Sequence, residues 1–298
     1  MRELLLTEPG VAHVALLSGV LVKPEGDVVE AVLTRECADR VLQGLVGIGL
    51  DRQGGITLES FETVLSKAAD TAEELVPGDP ADAVVWDELI ERTGADSRLT
   101  IGYLAFLTIA CLLAAIGVVT DSSVTVVGAM VLGPEFGPLA AMAVGLVARR
   151  RDLVNKSVIA LFVGFPVAMG LTAGTWLVFH TLGLVNKTSL DQLTDVDFIY
   201  QVGPFSLIVA LLAGAAGMLS LTSGKSSALV GVFISVTTVP AAAFATIATV
   251  EGRWDRVLSS SVQLLVNLVG IVLAAVAVLV LSRLSRPFSA LGQRCRRE

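Results

Sequence analysis

The chain has 298 residues, 54% of them hydrophobic and 16% charged, with a mean hydropathy of +0.77. No soluble fold of this size is so apolar, which excludes an ordinary soluble enzyme or binding domain and makes the lipid bilayer the main expected partner. The net charge of −7 hides an asymmetry: residues 1–98 carry 8 Lys+Arg against 19 Asp+Glu and residues 99–298 carry 13 against 9, so an acidic part precedes a basic one and no nucleic acid is expected as a partner.

The N-terminal apolar run, Leu4 to Leu6, is too short for a signal peptide, so residues 1–66 are expected to form a cytoplasmic domain. Alternation predicts strands over 13–21, 27–33 and 55–62, the first two joined by a turn at Lys23 to Gly26. Between the second and third, Val41, Leu42, Leu45 and Val46 make an apolar stripe on a helix over 34–47 that opens at the cap-like Thr34. This order is most of a ferredoxin-like α+β unit lacking its first strand, with its first helix reduced to residues 2–6. So small a sheet leaves an edge and a face to be covered, which points to a homo-oligomer or to the membrane domain. Residues 67–98 are expected to be a polar linker, with Pro77 and Pro80, followed by an amphipathic helix over 81–93 anchored by Trp86.

From Leu99 onward, apolar runs of roughly the 20 residues needed to cross a bilayer recur at 99–120, 123–148, 154–183, 203–222, 226–250 and 257–283. The expected α-helical membrane domain therefore covers 99–283 with six spans, followed by a basic tail over 284–298. Arg149, Arg150, Arg151 and Lys156 lie in one connection, Asp191, Asp195 and Asp197 in the next, and Arg283, Arg286, Arg294, Arg296 and Arg297 in the tail. The positive-inside rule then puts both termini in the cytoplasm.

Within the second span, residues 128–138 read GAMVLGPEFGP and place Glu135 among Gly133, Pro134, Gly137 and Pro138. Proline lacks an N–H and clashes with the carbonyl one turn back, so this stretch is expected to be broken helix. Broken backbone and an ionisable group at membrane depth survive only where protein or water satisfies them, which makes Glu135 a candidate ion- or solute-binding residue. The fifth span has a matching stretch in Ser235, Thr237, Thr238 and Pro240, expected as a second break.

The two stretches belong to a wider internal resemblance. Asp121, Ser122 and Ser123 lead to Gly128, Pro138, Arg149 to Asp152, Ser157 and Val158, while Lys225, Ser226 and Ser227 lead to Gly231, Pro240, Arg253 to Asp255, Ser261 and Val262, an offset of 102 to 104. Two halves of three spans each would be inverted relative to one another, with paired broken helices, as in secondary transporters. Gln263 and Asn267, four apart on the sixth span, are expected to join helices, and the pairs Gly170/Gly174 and Gly214/Gly217 to permit close helix contact.

No catalytic residue, metal site or cofactor is expected: His13 and His180 are the only histidines, and Cys37, Cys111 and Cys295 lie far apart with no ligand spacing, as unpaired thiols in a reducing compartment. The expected function is a transporter or channel for an ion or small solute, with the site at both breaks. The alternative is a regulatory or sensory membrane protein whose cytoplasmic domain binds a small ligand or partner.

The run from Gly128 to Leu139, the preceding Thr120 to Ser123, the following Gly145 and Arg150 to Leu153, and the helix from Asp82 to Arg98 resemble the uncharacterised hydrophobic-domain family catalogued as domain of unknown function 389. The resemblance covers nearly the whole chain. It implies a small ferredoxin-like cytoplasmic domain joined to a membrane domain, found in bacteria and archaea, and so a multi-pass protein of the bacterial inner membrane. It implies no established activity.

Overall fold

A computed structural model describes residues 1–61, 64–76, 83–183, 203–223 and 228–294, with side chains left undescribed at 204, 228–237 and 285–294. The chain divides into two compact units, one of residues 1–89 with 282–298 and one of residues 90–281.

The first unit opens with α1 (Arg2–Thr7), then the antiparallel pair β1 (Val11–Val22) and β2 (Glu25–Leu33), in which Leu17 faces Val28 and His13 faces Val32. Helix α2 (Arg35–Gly47) follows Thr34 and turns Cys37, Ala38, Val41, Leu42 and Leu45 inward, where Leu5, Val14 and Val29 pack against its stripe. After the short α3 (Leu50–Gln53), the strand expected over 55–62 does not form in its described part: residues 55–61 are irregular, and residue 62 lies outside the described residues. Burial explains this, because only Ile56 packs on the core while Leu58 and Phe61 stay exposed, so the run has no buried face to fix a register. The sheet is thus two-stranded among the described residues, not the three-stranded ferredoxin-like sheet expected.

Helix α4 (Lys67–Leu75) occupies the stretch expected as polar linker, seating Ala72 inward. Helix α5 (Trp86–Asp96) starts later than expected, where Trp86 N–H donates to Asp39 Oδ1 at 2.7 Å, so that Asp39 satisfies a donor the helix start leaves open. The Arg283 guanidinium lies 4.8 Å from the centre of the Trp86 ring.

The second unit is helical: α6 (Ile101–Val119), α7 (Ser123–Leu132), α8 (Phe136–Val147), α9 (Arg151–Thr181), α10 (Pro204–Thr222), α11 (Ala228–Val250) and α12 (Trp254–Arg294), whose last turns belong to the first unit. Four stretches, Ile101–Val119, Arg151–Thr181, Phe205–Thr222 and Trp254–Leu284, are long and apolar enough to cross a membrane, and α7 with α8, bent by 51°, make a fifth if counted as one span. These helices mark a multi-pass membrane protein. Six spans are not reached among the residues with described side chains, where α11 counts only from Thr238 to Val250. Thr100 and Ser122 cap α6 and α7, each side chain accepting from the backbone N–H three residues on. The core is alanine-rich, which lets α11 pack closely on α6, α7, α9 and α10. The expected glycine contacts divide: a side chain at Gly214 would collide with the backbone of Ile271, whereas Gly170 and Gly174 face open space.

Element boundaries repeat at a constant spacing. Helices α6 and α10 both have 19 residues and start and end 103 apart, α8 and α11 end 103 apart, and α9 and α12 begin 103 apart. The turn after α8 has Arg149 at φ 57° with Arg150 N–H donating to Gly145 at 2.8 Å, and the turn after α11 has Gly252 at φ 75° with Arg253 N–H donating to Ala248 at 2.9 Å. Even the ion pairs correspond, Arg150 with Asp152 at 3.1 Å and Arg253 with Asp255 at 3.8 Å.

In the first unit, burial pushes the Cys37 thiol up from its ordinary value, and Thr34 hydrogen-bonding only partly offsets this. Its folded-state value lies above the unfolded one, so stability is full below about pH 8.5 and falls as pH rises through the thiol range. Cys37 is expected to resist maleimide at pH 8 in the folded protein and react once urea unfolds it. A side chain at Gly10 would stand 2.6 Å from Cys37 Sγ, 2.9 Å from Thr34 Oγ1 and 2.9 Å from Val76 Cγ2. Gly10→Ala should therefore lower the urea midpoint of this unit, at a cost of about 1–3 kcal/mol for overpacking.

Candidate functional site

The bend between α7 and α8 arises locally. Gly133 ends α7 in an extended conformation, Pro134 removes the next donor, and Glu135 takes the N-cap position of α8, its carbonyl accepting from Leu139 N–H at 3.2 Å. Pro138, expected with Pro134 to break the helix, instead sits buried in the first turn of α8. There the missing N–H is one the helix start would leave unbonded anyway. Gly137 admits a close neighbour, since a side chain there would lie 2.8 Å from Asp96 Cβ and 2.9 Å from Asp96 O at the end of α5. The Asp96 carboxyl, outside the spans, is pushed up by partial burial against the opposing pull of Arg92.

Glu135 is 0% exposed and ranks among the largest fully buried side chains. Its Oε1 accepts from Thr238 Oγ1 at 2.5 Å. Thr238 is equally buried and lies on α11 two residues before Pro240. The expected break there does not form, because α11 runs as one helix from Ala228 to Val250 through Pro240. The ring removes one helical hydrogen bond, but Val239 and Ala241 to Ala245 are fully buried around it and hold the axis. The side chains of Ser235 and Thr237 lie outside the described residues. Of the candidate residues, then, Glu135 and Thr238 are joined directly, Gly133, Pro134, Gly137 and Pro138 shape the bend, and Pro240 lies beside Thr238 without breaking its helix.

The sequence reading missed Tyr103. Its ring is 6% exposed, its hydroxyl has no hydrogen-bond partner among the described residues, and both it and Cys111 lie within electrostatic reach of Glu135. Gly164 on α9 makes room for the ring: a side chain there would stand 2.7 Å from Tyr103 Cε1 and 3.3 Å from its hydroxyl. Nothing in residue spacing singles out one aromatic in an apolar span, so no sequence signal marked it. Gln263 and Asn267 do join helices, through Ser206 of α10: Gln263 Nε2 donates to Ser206 Oγ at 2.9 Å, and Ser206 Oγ donates to Asn267 Oδ1 at 3.1 Å.

The family model described as Domain of unknown function (DUF389) matches residues 130–273, the stretch that holds Glu135, Thr238 and both turns. An uncharacterised protein of Methanocaldococcus jannaschii is 26% identical over 197 residues, covering 65% of this chain and 58% of its own length, so the chain spans well under two thirds of that curated relative. No solved structure matches the chain.

If the Glu135–Thr238 bond holds the two helices together, a double-mutant cycle with Glu135→Gln and Thr238→Val should show coupling. The expected size is about 1–3 kcal/mol, the range for a buried hydrogen bond that involves an ionisable group. Unfolding of the detergent-solubilised protein by SDS measures it, and additive effects would reduce the contact to simple proximity.

Proposed function

We propose, from a chain in which residues 130–273 carry this domain of unknown function, that the protein is a membrane transporter or channel for an ion or small solute, with Glu135 as its proton- or cation-linked group. The observation that carries the reading is the buried Glu135–Thr238 pair. A carboxyl at membrane depth costs about 2.5–3.5 kcal/mol on insertion scales, and a bend made only for packing has no use for one. Irregular backbone beside such a group is the usual construction of a solute site in transporters.

In this reading the chain crosses the bilayer six times with both termini in the cytoplasm of a bacterial cell, and its halves form an inverted repeat. The constant spacing of 103 supports the repeat, and so does the pair itself, since Glu135 and Thr238 are 103 apart. Across a twofold axis a residue meets its own equivalent only at the axis, so in this reading the pair lies at the centre of the pseudo-symmetric domain. Three spans per half, an odd number, then invert one half relative to the other.

The test is proton movement in proteoliposomes, driven by a potassium diffusion potential and read with an internal pH dye. Vesicles holding the unmodified protein are expected to acidify faster than empty ones, and Glu135→Gln to abolish the difference. Equal rates in unmodified and empty vesicles would remove proton transport, and undiminished flux in Glu135→Gln would remove Glu135 from the mechanism.

A further inference from the structure

We infer that Ser157 and Ser260 mark two water-accessible half-paths that approach the Glu135–Thr238 pair from opposite faces of the membrane, and that these paths carry water and the protons it relays. The inference rests on the transport reading above and adds to it the route and the kind of cargo.

Both serines are 0% exposed, and neither Oγ has a hydrogen-bond partner among the described residues. A buried hydroxyl left without a partner costs about 1–3 kcal/mol, which folded proteins seldom tolerate. Here the cost occurs twice, at positions 103 apart, in the register that relates Glu135 to Thr238 and the start of α9 to that of α12. A packing flaw has no reason to recur at equivalent places, whereas a polar partner from beyond the described residues, such as water, would serve both. Each hydroxyl lies six residues into its helix, about 9 Å along the axis, so each stands between a helix start and the interior.

The surrounding groups follow the same register. In the first half the Tyr103 hydroxyl, also without a partner among the described residues, lies against Gly164. The residues 103 further on are Ser206 and Asn267, which are hydrogen-bonded to each other. Gln263 Oε1, buried and without a partner among the described residues, lies one turn from Ser260 on the same face of α12. Hydroxyl, phenol and amide groups both donate and accept, as a water chain requires, and none of them carries a formal charge that would neutralise an ion. Small stations of this kind suit water and protons rather than a bulky or multivalent solute. With the halves inverted, Ser157 faces the side of Arg149 to Arg151, the cytoplasm, and Ser260 the side of Glu251 to Arg253.

The experiment places single cysteines by Ser157→Cys or Ser260→Cys in a chain with Cys37, Cys111 and Cys295 replaced by alanine. A membrane-impermeant methanethiosulfonate is then applied to right-side-out or to inverted vesicles. Labelling is expected at position 157 from the cytoplasmic face only and at position 260 from the outer face only. Labelling of both from one face, of either from both faces, or of neither overturns the inference. Should a cysteine variant fail to fold, hydroxyl-radical footprinting of the unmodified protein decides. Tyr103 is expected to be oxidised despite its burial, and an unoxidised Tyr103 overturns the first half-path. If Glu135→Gln abolishes flux while the cysteines label otherwise, the half-paths fall and the transport reading stands. Flux that survives Glu135→Gln removes Glu135 from the mechanism, and unmodified vesicles no faster than empty ones retire the transport reading itself.

Discussion

The hydrogen bond from Thr238 to Glu135 is the contact on which the membrane unit depends. A carboxyl with no solvent exposure needs a donor that is itself held in place, and in hydrocarbon that donor must come from another part of the protein. The requirement fixes α11 against the bend between α7 and α8. The alanine-rich surfaces of α6 and α11 are its packing consequence, because a short side chain such as threonine reaches across only when the helix axes come close. Gly133 and Pro134 complete the arrangement by ending α7 where the carboxyl must leave the helix face.

What the sequence made legible followed from rules that depend on one residue at a time. Four of the six apolar runs, the bend at Pro134 and the stripe of α2 were readable because chain length, a missing N–H and a helical period act locally. Pro138 and Pro240 were misread as breaks because the effect of a proline depends on where the helix begins and on what packs beside it, and neither is local. The third strand failed for a related reason: alternation over 55–61 was present, but only Ile56 found a buried partner. Tyr103 could not have been found from spacing, since its importance comes from Gly164 on another helix.

The proposed repeat shows the same limit in finer detail. Matching Ser-Val dipeptides aligned Ser157 with Ser261, whereas the helix boundaries and the buried faces align it with Ser260, one residue earlier. Ser261 is exposed and Ser260 buried, so a one-residue difference on a helix separates an outer hydroxyl from an interior one. Composition bias towards serine hides such shifts in sequence, and only the backbone resolves them. At the two turns the backbone is conserved in form while the residue changes: Gly252 adopts positive φ without strain, and Arg149 adopts it at a steric cost, keeping its charge in the connection.

In the proposed repeat, equivalent positions also explain why Glu135 and Thr238 are unlike. Where a residue meets its own equivalent, two identical carboxyls would both need to share one proton or repel one another, and two threonines would supply no titratable group. A carboxyl opposite a hydroxyl gives an acceptor and a donor, and leaves a single group to change charge. The same division separates Tyr103 with Gly164 from Ser206 with Asn267: the Tyr103 hydroxyl has no partner among the described residues, whereas Ser206 and Asn267 are hydrogen-bonded to each other. Helix bounds thus recur at one spacing while the side chains at the matching positions differ in chemistry. In the proposed transport reading, a site with one titratable group and unequal polar neighbours on either side can respond differently to its two approaches, which identical halves cannot do.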